Sequence, residues 1–255
     1  RENAFSSYAE RGIGMAFGPP AMGYDRAITI FSPDGRLYQV EYATEAVRRG
    51  WTTIGVRTKE CVVLVVEKRK LHPFVDLDAL EKIYIIDDHI GATFAGWASD
   101  GRVLVDYARL YAIRHRLLYD EPISVEYLAK LVGDIKQAYT QHAGVRPFGT
   151  SLIIGGIDDK GPRLFVTEPG GQVFPYYLHV IGSGAQAAQE FFEKHYKYDL
   201  NIKDTILLAV NGLAHSIEGE LGPDRLEVGY IDIYERKFKK LSKTETGEIL
   251  QKIKT

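Results

Sequence analysis

The chain has 255 residues, 45% hydrophobic and 26% charged, with a formal net charge of −2. That length suits one large domain or two small ones and buries a sizeable core without disulfide or metal staples. The near-neutral charge leaves no electrostatic footprint for nucleic acid, and the short basic clusters Lys68-Arg69-Lys70 and Lys237, Lys239, Lys240 read as solvated faces.

The one cysteine, Cys61, lies in an apolar run, so the chain can build neither a disulfide framework nor a cysteine metal site. No apolar stretch approaches the roughly 20 residues that span a bilayer. The front of the chain carries Glu, Ser and Arg without an apolar core, unlike a secretory signal. These features predict a soluble, cytoplasmic protein with no membrane partner.

Residues 1–23 show no periodicity and hold Gly12, Gly14, Gly18, Pro19, Pro20 and Gly23. Such a segment cannot bury enough apolar surface to offset its ordering entropy, so it reads as a flexible tail. Met15 is a plausible native start, which leaves 1–14 open as upstream or appended sequence. Ala27–Phe31 reads as a short extended piece. Ser32-Pro33-Asp34-Gly35 is a turn, with Pro preset for a helix start. Leu37, Val40, Ala43 and Val47 then recur at helical spacing, Arg48 and Arg49 suit the last turn, and Gly50 stops the helix.

Thr52–Arg57 and Cys61–Val66 predict a hairpin of β-branched strands, and Ile83–Ile86 with Ile90–Ala95 a second one turning at Asp87-Asp88. Two long helices follow. One carries the stripe Trp97, Gly101, Leu104, Ala108, Tyr111; the other carries Val125, Leu128, Leu131, Val132, Ile135, Tyr139, with Ser124 as N-cap. Strands return at Ser151–Ile157, Arg163–Thr167 and Leu178–Gly182. Helices are expected at 185–196 and through Ile206, Val210, Leu213 and Ile217. A strand spans Leu226–Tyr234, and Ser242 to Glu245 is a capping box opening a terminal helix. Helix pairs separated by runs of hairpin strands predict an α+β protein with helices outside two antiparallel sheets.

Tyr24-Asp25-Arg26 precedes the pattern Phe31-x-x-x-Gly35-x-x-x-Gln39-Val40-x-Tyr42-Ala43. This opening resembles that of proteasome alpha subunits, the archaeal ones most. Glu81-Lys82-Ile83, Gly101-Arg102-Val103-Leu104, Gly144-Val145-Arg146-Pro147-Phe148-Gly149 and Ile181-Gly182-Ser183-Gly184 look like further landmarks of that family, and the resemblance covers about Met15 to Tyr234. It implies the four-layer αββα sandwich of the N-terminal-nucleophile hydrolases and a single domain over 24–255. It also implies a heptameric alpha ring stacked on catalytic beta subunits, through which unfolded protein substrates pass.

Catalytic beta subunits of that fold begin a strand with Gly-Thr-Thr-Thr and cut themselves after the Gly. The freed Thr hydroxyl is then activated by its own new amine. The matching stretch here is Gly50-Trp51-Thr52-Thr53. Trp51 takes the nucleophile's place and has no nucleophilic oxygen, and some fifty residues precede it. Glu67 and Lys82 sit where the beta-type acid and lysine would, with nothing to activate. The expectation is a non-catalytic subunit of a threonine-type endopeptidase complex, without cofactor or metal.

What the resemblance implies for the remaining residues is gating and docking. The tail would cover an axial pore, with Tyr24, Asp25, Pro33 and Tyr42 clustering between neighbours when the gate opens; unaided, Tyr24 and Tyr42 read first as ordinary amphipathic packing residues. Lys82, with Gly35, Leu37 and Gly50, would receive the C-terminal carboxylate of a regulatory AAA+ ATPase tail in a pocket between adjacent subunits. Without the family, Lys82 reads equally as a surface strand lysine beside Glu81. Trp97 falls where related chains often carry a smaller apolar residue, which alters that pocket's shape. Arg146-Pro147-Phe148-Gly149 would line the pore side, and the helix from Leu37 to Arg49 would pack on a neighbour or on its own domain.

His72, His89, His115, His142, His179, His195 and His215 lack metal-ligand spacing. Gly182-Ser183-Gly184 reads as a tight strand-to-helix turn, and Asp158-Asp159 with Gly161 as a hairpin turn. Two other functions fit the same fold: an active threonine hydrolase, and a free-standing scaffold ring.

Overall fold

The structure is a computed structural model that describes residues 29–254. The tail, with Tyr24 and Asp25 of the expected gate and residues 27–28 of the expected extended piece, lies outside the described residues. The remaining part of that piece is no strand: residues 29–31 form a bend and loop, with Ile30 and Phe31 exposed. Among the described residues no strand pairs with them.

Helix α1 spans Tyr38–Arg48. Pro33 does not open it. It lies in a turn closed by Gly35 N–H donating to the Ser32 carbonyl (2.8 Å) and Ser32 N–H to the Arg36 carbonyl (2.9 Å). Gly35 takes φ +79°, a left-handed conformation that an L side chain resists. Strands β1 (Thr53–Arg57), β2 (Cys61–Glu67), β3 (Ile83–Asp87) and β4 (Ile90–Gly96) follow as two hairpins. Helices α2 (Ala98–Tyr119) and α3 (Val125–Ala138) come next, α3 capped by the Ser124 hydroxyl, which accepts from Tyr127 N–H. Strands β5 (Thr150–Asp158), β6 (Gly161–Thr167), β7 (Val173–Pro175) and β8 (Leu178–Ile181) precede helices α4 (Ala185–His195) and α5 (Ile202–Ser216). The chain closes with β9 (Leu226–Asp232), β10 (Lys239–Lys240) and α6 (Lys243–Lys254). The terminal capping box forms: Ser242 N–H donates to the Glu245 carboxylate (2.8 Å), and Glu245 N–H donates back to the Ser242 hydroxyl (3.3 Å).

The strands make two antiparallel five-stranded sheets, ordered β10-β9-β2-β1-β8 and β3-β4-β5-β6-β7. Alternation along β2 shows how they stack. Cys61, Val63 and Val65 join α4, α5 and α6 in one apolar layer. Val62, Leu64 and Val66 point the other way, meeting Ile153, Leu164 and Val166 of the second sheet. A third layer, with Phe94, Leu104, Leu128 and Leu152, lies under α2 and α3. The result is an α+β, four-layer αββα sandwich. Gly55 and Gly155 let the sheets approach: a Cβ on either would overlap Ile153 or Val62 across the gap. The short strands β7 and β10 carry too few residues to show a period and were not anticipated.

Lys136 on α3 is wholly buried. Its ammonium donates to the Thr150 carbonyl (2.9 Å), the Thr167 carbonyl (2.8 Å) and the Thr167 hydroxyl (2.8 Å), tying α3 to β5 and β6. Burial holds its pKa well below the ordinary lysine value, with Glu168 opposing. Lys136→Ala leaves those acceptors unpaired beside a cavity and is expected to cost about 3 kcal/mol or more in denaturant titrations. Between the depressed folded value and an unfolded value of about 10.4, the unfolded chain holds the extra proton. The Lys136 contribution is therefore complete above the unfolded value and is lost as pH falls through the folded one. The stability difference between wild type and Lys136→Met should shift in favour of wild type as pH rises through that window.

Candidate functional site

The junction between α1 and β1 brings most of the expected site residues to one place. Gly50 N–H donates to the Val47 carbonyl (2.9 Å), and the Gly50 carbonyl accepts from Ser183 N–H (2.9 Å). A side chain at Gly50 would collide with the backbone N of Gly96, so glycine is needed here for close approach. Thr52 is buried; its hydroxyl accepts from Gly184 N–H (3.1 Å) and its carbonyl from Glu67 N–H (3.0 Å). The Thr53 hydroxyl reaches the Trp51 carbonyl at 3.1 Å. The backbone on both sides of Trp51 is therefore fixed.

Lys82 is not a surface lysine. It is 6% exposed, and its ammonium lies 4.0 Å from the Phe94 ring centroid and 5.1 Å from that of Trp51. No carboxylate of the described residues lies within ion-pair reach of it. Burial lowers its pKa to about 8, against an opposing pull from Glu227. Glu67, the expected beta-type acid, does not pair with Lys82. Its carboxylate is held by Arg69 (2.8 Å) and Arg225 (3.0 Å).

Glu227 on β9 was not anticipated. Its carboxylate accepts from Lys82 N–H (2.9 Å), Ile83 N–H (3.3 Å) and the Lys240 ammonium (3.1 Å). It thus pins the chain at Lys82 across from the other sheet. The sequence signal was an acid on the Gly229–Ile231 face of a strand whose opposite face carries Leu226 and Val228.

A groove of ≈560 Å³ lies beside this junction, lined by Tyr42, Glu45, Ala46 and Arg49 of α1 and its end together with Gly50, Trp51, Gly96 and Trp97. Trp97 is 61% exposed, not part of a buried stripe, because it stands at the N-cap of α2. Its N–H donates to the Gly149 carbonyl (2.9 Å), and the Arg146 guanidinium sits 5.9 Å from its ring centroid. Arg146 in turn grips Asp100 with both nitrogens (2.6 and 2.9 Å), and Gly149 N–H donates to the same carboxylate (2.9 Å). Burial pushes the Asp100 carboxyl up, but these donors outweigh it and hold the pKa below the usual value. Pro147 lies between them, its carbonyl taken by Arg146 (2.9 Å). Phe148 is buried against Tyr139, ring centroids 4.6 Å apart. The 146–149 segment is thus fastened to the groove wall.

The other expected residues stand apart. Gly35 and Leu37 lie at the N-terminal end of α1, whereas Gly50 and Lys82 lie beyond its C-terminal end. An 11-residue helix is about 16 Å long, so one chain does not close a pocket from all four. Pro33 is exposed in the turn, and Tyr42 is 51% exposed, stacked on Tyr38 at 6.5 Å.

Comparison with known proteins agrees with this architecture. A family described as "Proteasome subunit" matches residues 47–231, and a second, described as the N-terminal signature of A-type proteasome subunits, matches 24–46. The chain is 60% identical over 242 residues to the proteasome alpha subunit of Sulfurisphaera tokodaii, and equally to that of Sulfolobus acidocaldarius. It is 56% identical over 241 residues to that of Saccharolobus solfataricus. Each match covers 94% of this chain and 100% of the relative.

The chain belongs to the proteasome subunit family, as an alpha-type member. The two matched regions meet inside α1, between Ala46 and Val47, directly before the Gly50-Trp51 junction. Among the described residues of this alpha subunit, no cluster of His, Cys, Asp and Glu could hold a metal ion, and no helix is long and apolar enough to cross a membrane.

Because the Glu227 carboxylate stabilises the Lys82 ammonium, Glu227→Gln should lower the Lys82 pKa below its value of about 8. The pH midpoint of Lys82 acylation, followed by mass spectrometry, reads that shift. A midpoint that stays in place would remove Glu227 from the account of Lys82.

Proposed function

We propose that this protein is a non-catalytic alpha subunit of the proteasome core particle. It would form the outer heptameric ring on the beta subunits, control the passage of unfolded chains and dock a regulatory AAA+ ATPase, in a cytoplasmic setting. One observation carries the non-catalytic reading: Trp51, which the family resemblance sets at the nucleophile's position, has an amide nitrogen following α1 and Gly50. Neither a hydroxyl to attack nor a free amine to activate it is available there. Glu67 is engaged by two arginines, so the acid of a threonine hydrolase is also committed elsewhere.

Lys82 supports the docking reading. A cation this buried without an anionic partner among the described residues favours an incoming carboxylate, which would make a charge-assisted contact. The separation of Gly35 and Leu37 from Gly50 and Lys82 supports a pocket shared by neighbours, one subunit supplying each end of α1. Tyr42 and Pro33, both exposed, remain available to the gate with Tyr24 and Asp25, and Arg146, the exposed member of the 146–149 segment, would face the pore side.

The purified chain should not hydrolyse a fluorogenic peptide, whereas its assembly with beta subunits should. Turnover by the lone chain, abolished by a threonine-directed inhibitor, would sink the non-catalytic reading. Deleting residues 1–26 should raise hydrolysis by the assembled core, and no increase counts against the gate. Lys82→Ala should abolish stimulation by the ATPase; full stimulation of that variant would end the docking assignment.

A further inference from the structure

Trp51 belongs both to the groove and to the Lys82 environment. It lines the groove, whereas Lys82 does not, and its ring centroid is 5.1 Å from the Lys82 ammonium. The two tryptophans of the groove are held very differently. Trp97 is braced: Gly149 packs against its ring, leaving no room for a Cβ, and the Arg146 guanidinium lies over it. Trp51 is held through its backbone, by Thr53 at its carbonyl and by the tight approach of Gly182. Its partly exposed indole has the ammonium as its charged contact. A ring face is a weaker partner for an ammonium than a carboxylate is. Arg49 also lines the groove and has no ion-pair partner among the described residues, while Glu45, the acid of that lining, is paired with Arg48, so a cation is left to meet an entering anion.

We propose that Trp51 is a movable cover over Lys82: a partner's C-terminal carboxylate entering the groove displaces the indole from the ammonium and pairs with it instead. This rests on the reading of Lys82 as the carboxylate receiver and adds the residue that regulates access to it. The indole swings while the backbone at Gly50 to Thr53 stays in place. The exchange trades a cation–π contact for an ion pair, so an uncharged chain end cannot drive it.

Two measurements on the full-length chain, assembled as it purifies, test the cover. In a brief acetic anhydride pulse read by mass spectrometry, Trp51→Ala should label Lys82 about fivefold faster than wild type, the scale of a lost cation–π contact. Lys130, which is exposed elsewhere, serves as the internal reference and should not change. An unchanged Lys82 rate overturns the cover. Trp97→Phe leaves Trp51 as the sole tryptophan and avoids touching it. A short peptide with a free C-terminal carboxylate should then shift Trp51 emission, and its amidated twin should not. Calorimetric binding of the free-carboxylate peptide without an emission change overturns the cover and leaves docking at Lys82 intact. Equal binding to Lys82→Met sinks the docking reading, and the acetylation rates then decide the cover alone.

Discussion

Two sheets packed face to face leave no space for water between them, so the strands in the middle must be apolar on both faces. Strand β2 meets that demand residue by residue, with all seven positions from Cys61 to Glu67 buried. Each fully buried valine or leucine there is worth ~1.5–3 kcal/mol, which makes the strand the mechanical centre of the sandwich. Gly55 and Gly155 serve the same contact by omission, since any Cβ would push the sheets apart. The helices on either side then need only one apolar stripe each, and their outer faces are free to carry other work.

The same packing makes the buried charges of this molecule consequential. In the low-dielectric interior a charge persists only when paired or well hydrogen-bonded. Glu67 is satisfied by two arginines, and Lys136 by three neutral acceptors. Glu227 spends its carboxylate on backbone N–H groups at the start of β3 and on Lys240. Lys82 alone of this set has ring faces in place of oxygen atoms. The contrast singles it out by physics, independently of any family motif.

Much of the fold was legible because strand and helix periods differ. The continuous apolar run Cys61–Val66, the alternation along Leu226–Tyr234 and the stripes from Val125 and Ile206 all became the elements they imply. The same reading failed where no period exists. Ile30 and Phe31 look like strand residues, but a lone extended stretch without a partner strand has no ladder to join. At the site, the place of Trp51, Gly50 and Lys82 at one junction followed from the motif. What stayed hidden were the cross-sheet contacts: Glu227 to Lys82 spans 145 positions, and Asp100 to Arg146 spans 46. Local pattern carries no information about such pairs until the sheets are stacked. The depth of Lys82 was hidden for the same reason, since exposure belongs to the packed state.

Trp51 joins the two halves of the argument. The fold places one residue at the mouth of β1, where the backbone is fixed by Thr52, Gly182 and Ser183 from the adjoining strands and turns. A threonine there, once freed at a chain terminus, is a nucleophile with its own base. An indole inside a continuous chain has no such chemistry, but it adds a second polarisable face, beside that of Phe94, to a lysine without an anionic partner among the described residues. On the proposed reading, Trp51 does more than leave the position without a nucleophile. In that reading it would offer a charge to be met in place of a bond to be broken, on a backbone held at Gly50, Trp51 and Thr52 by Ser183, Thr53 and Gly184.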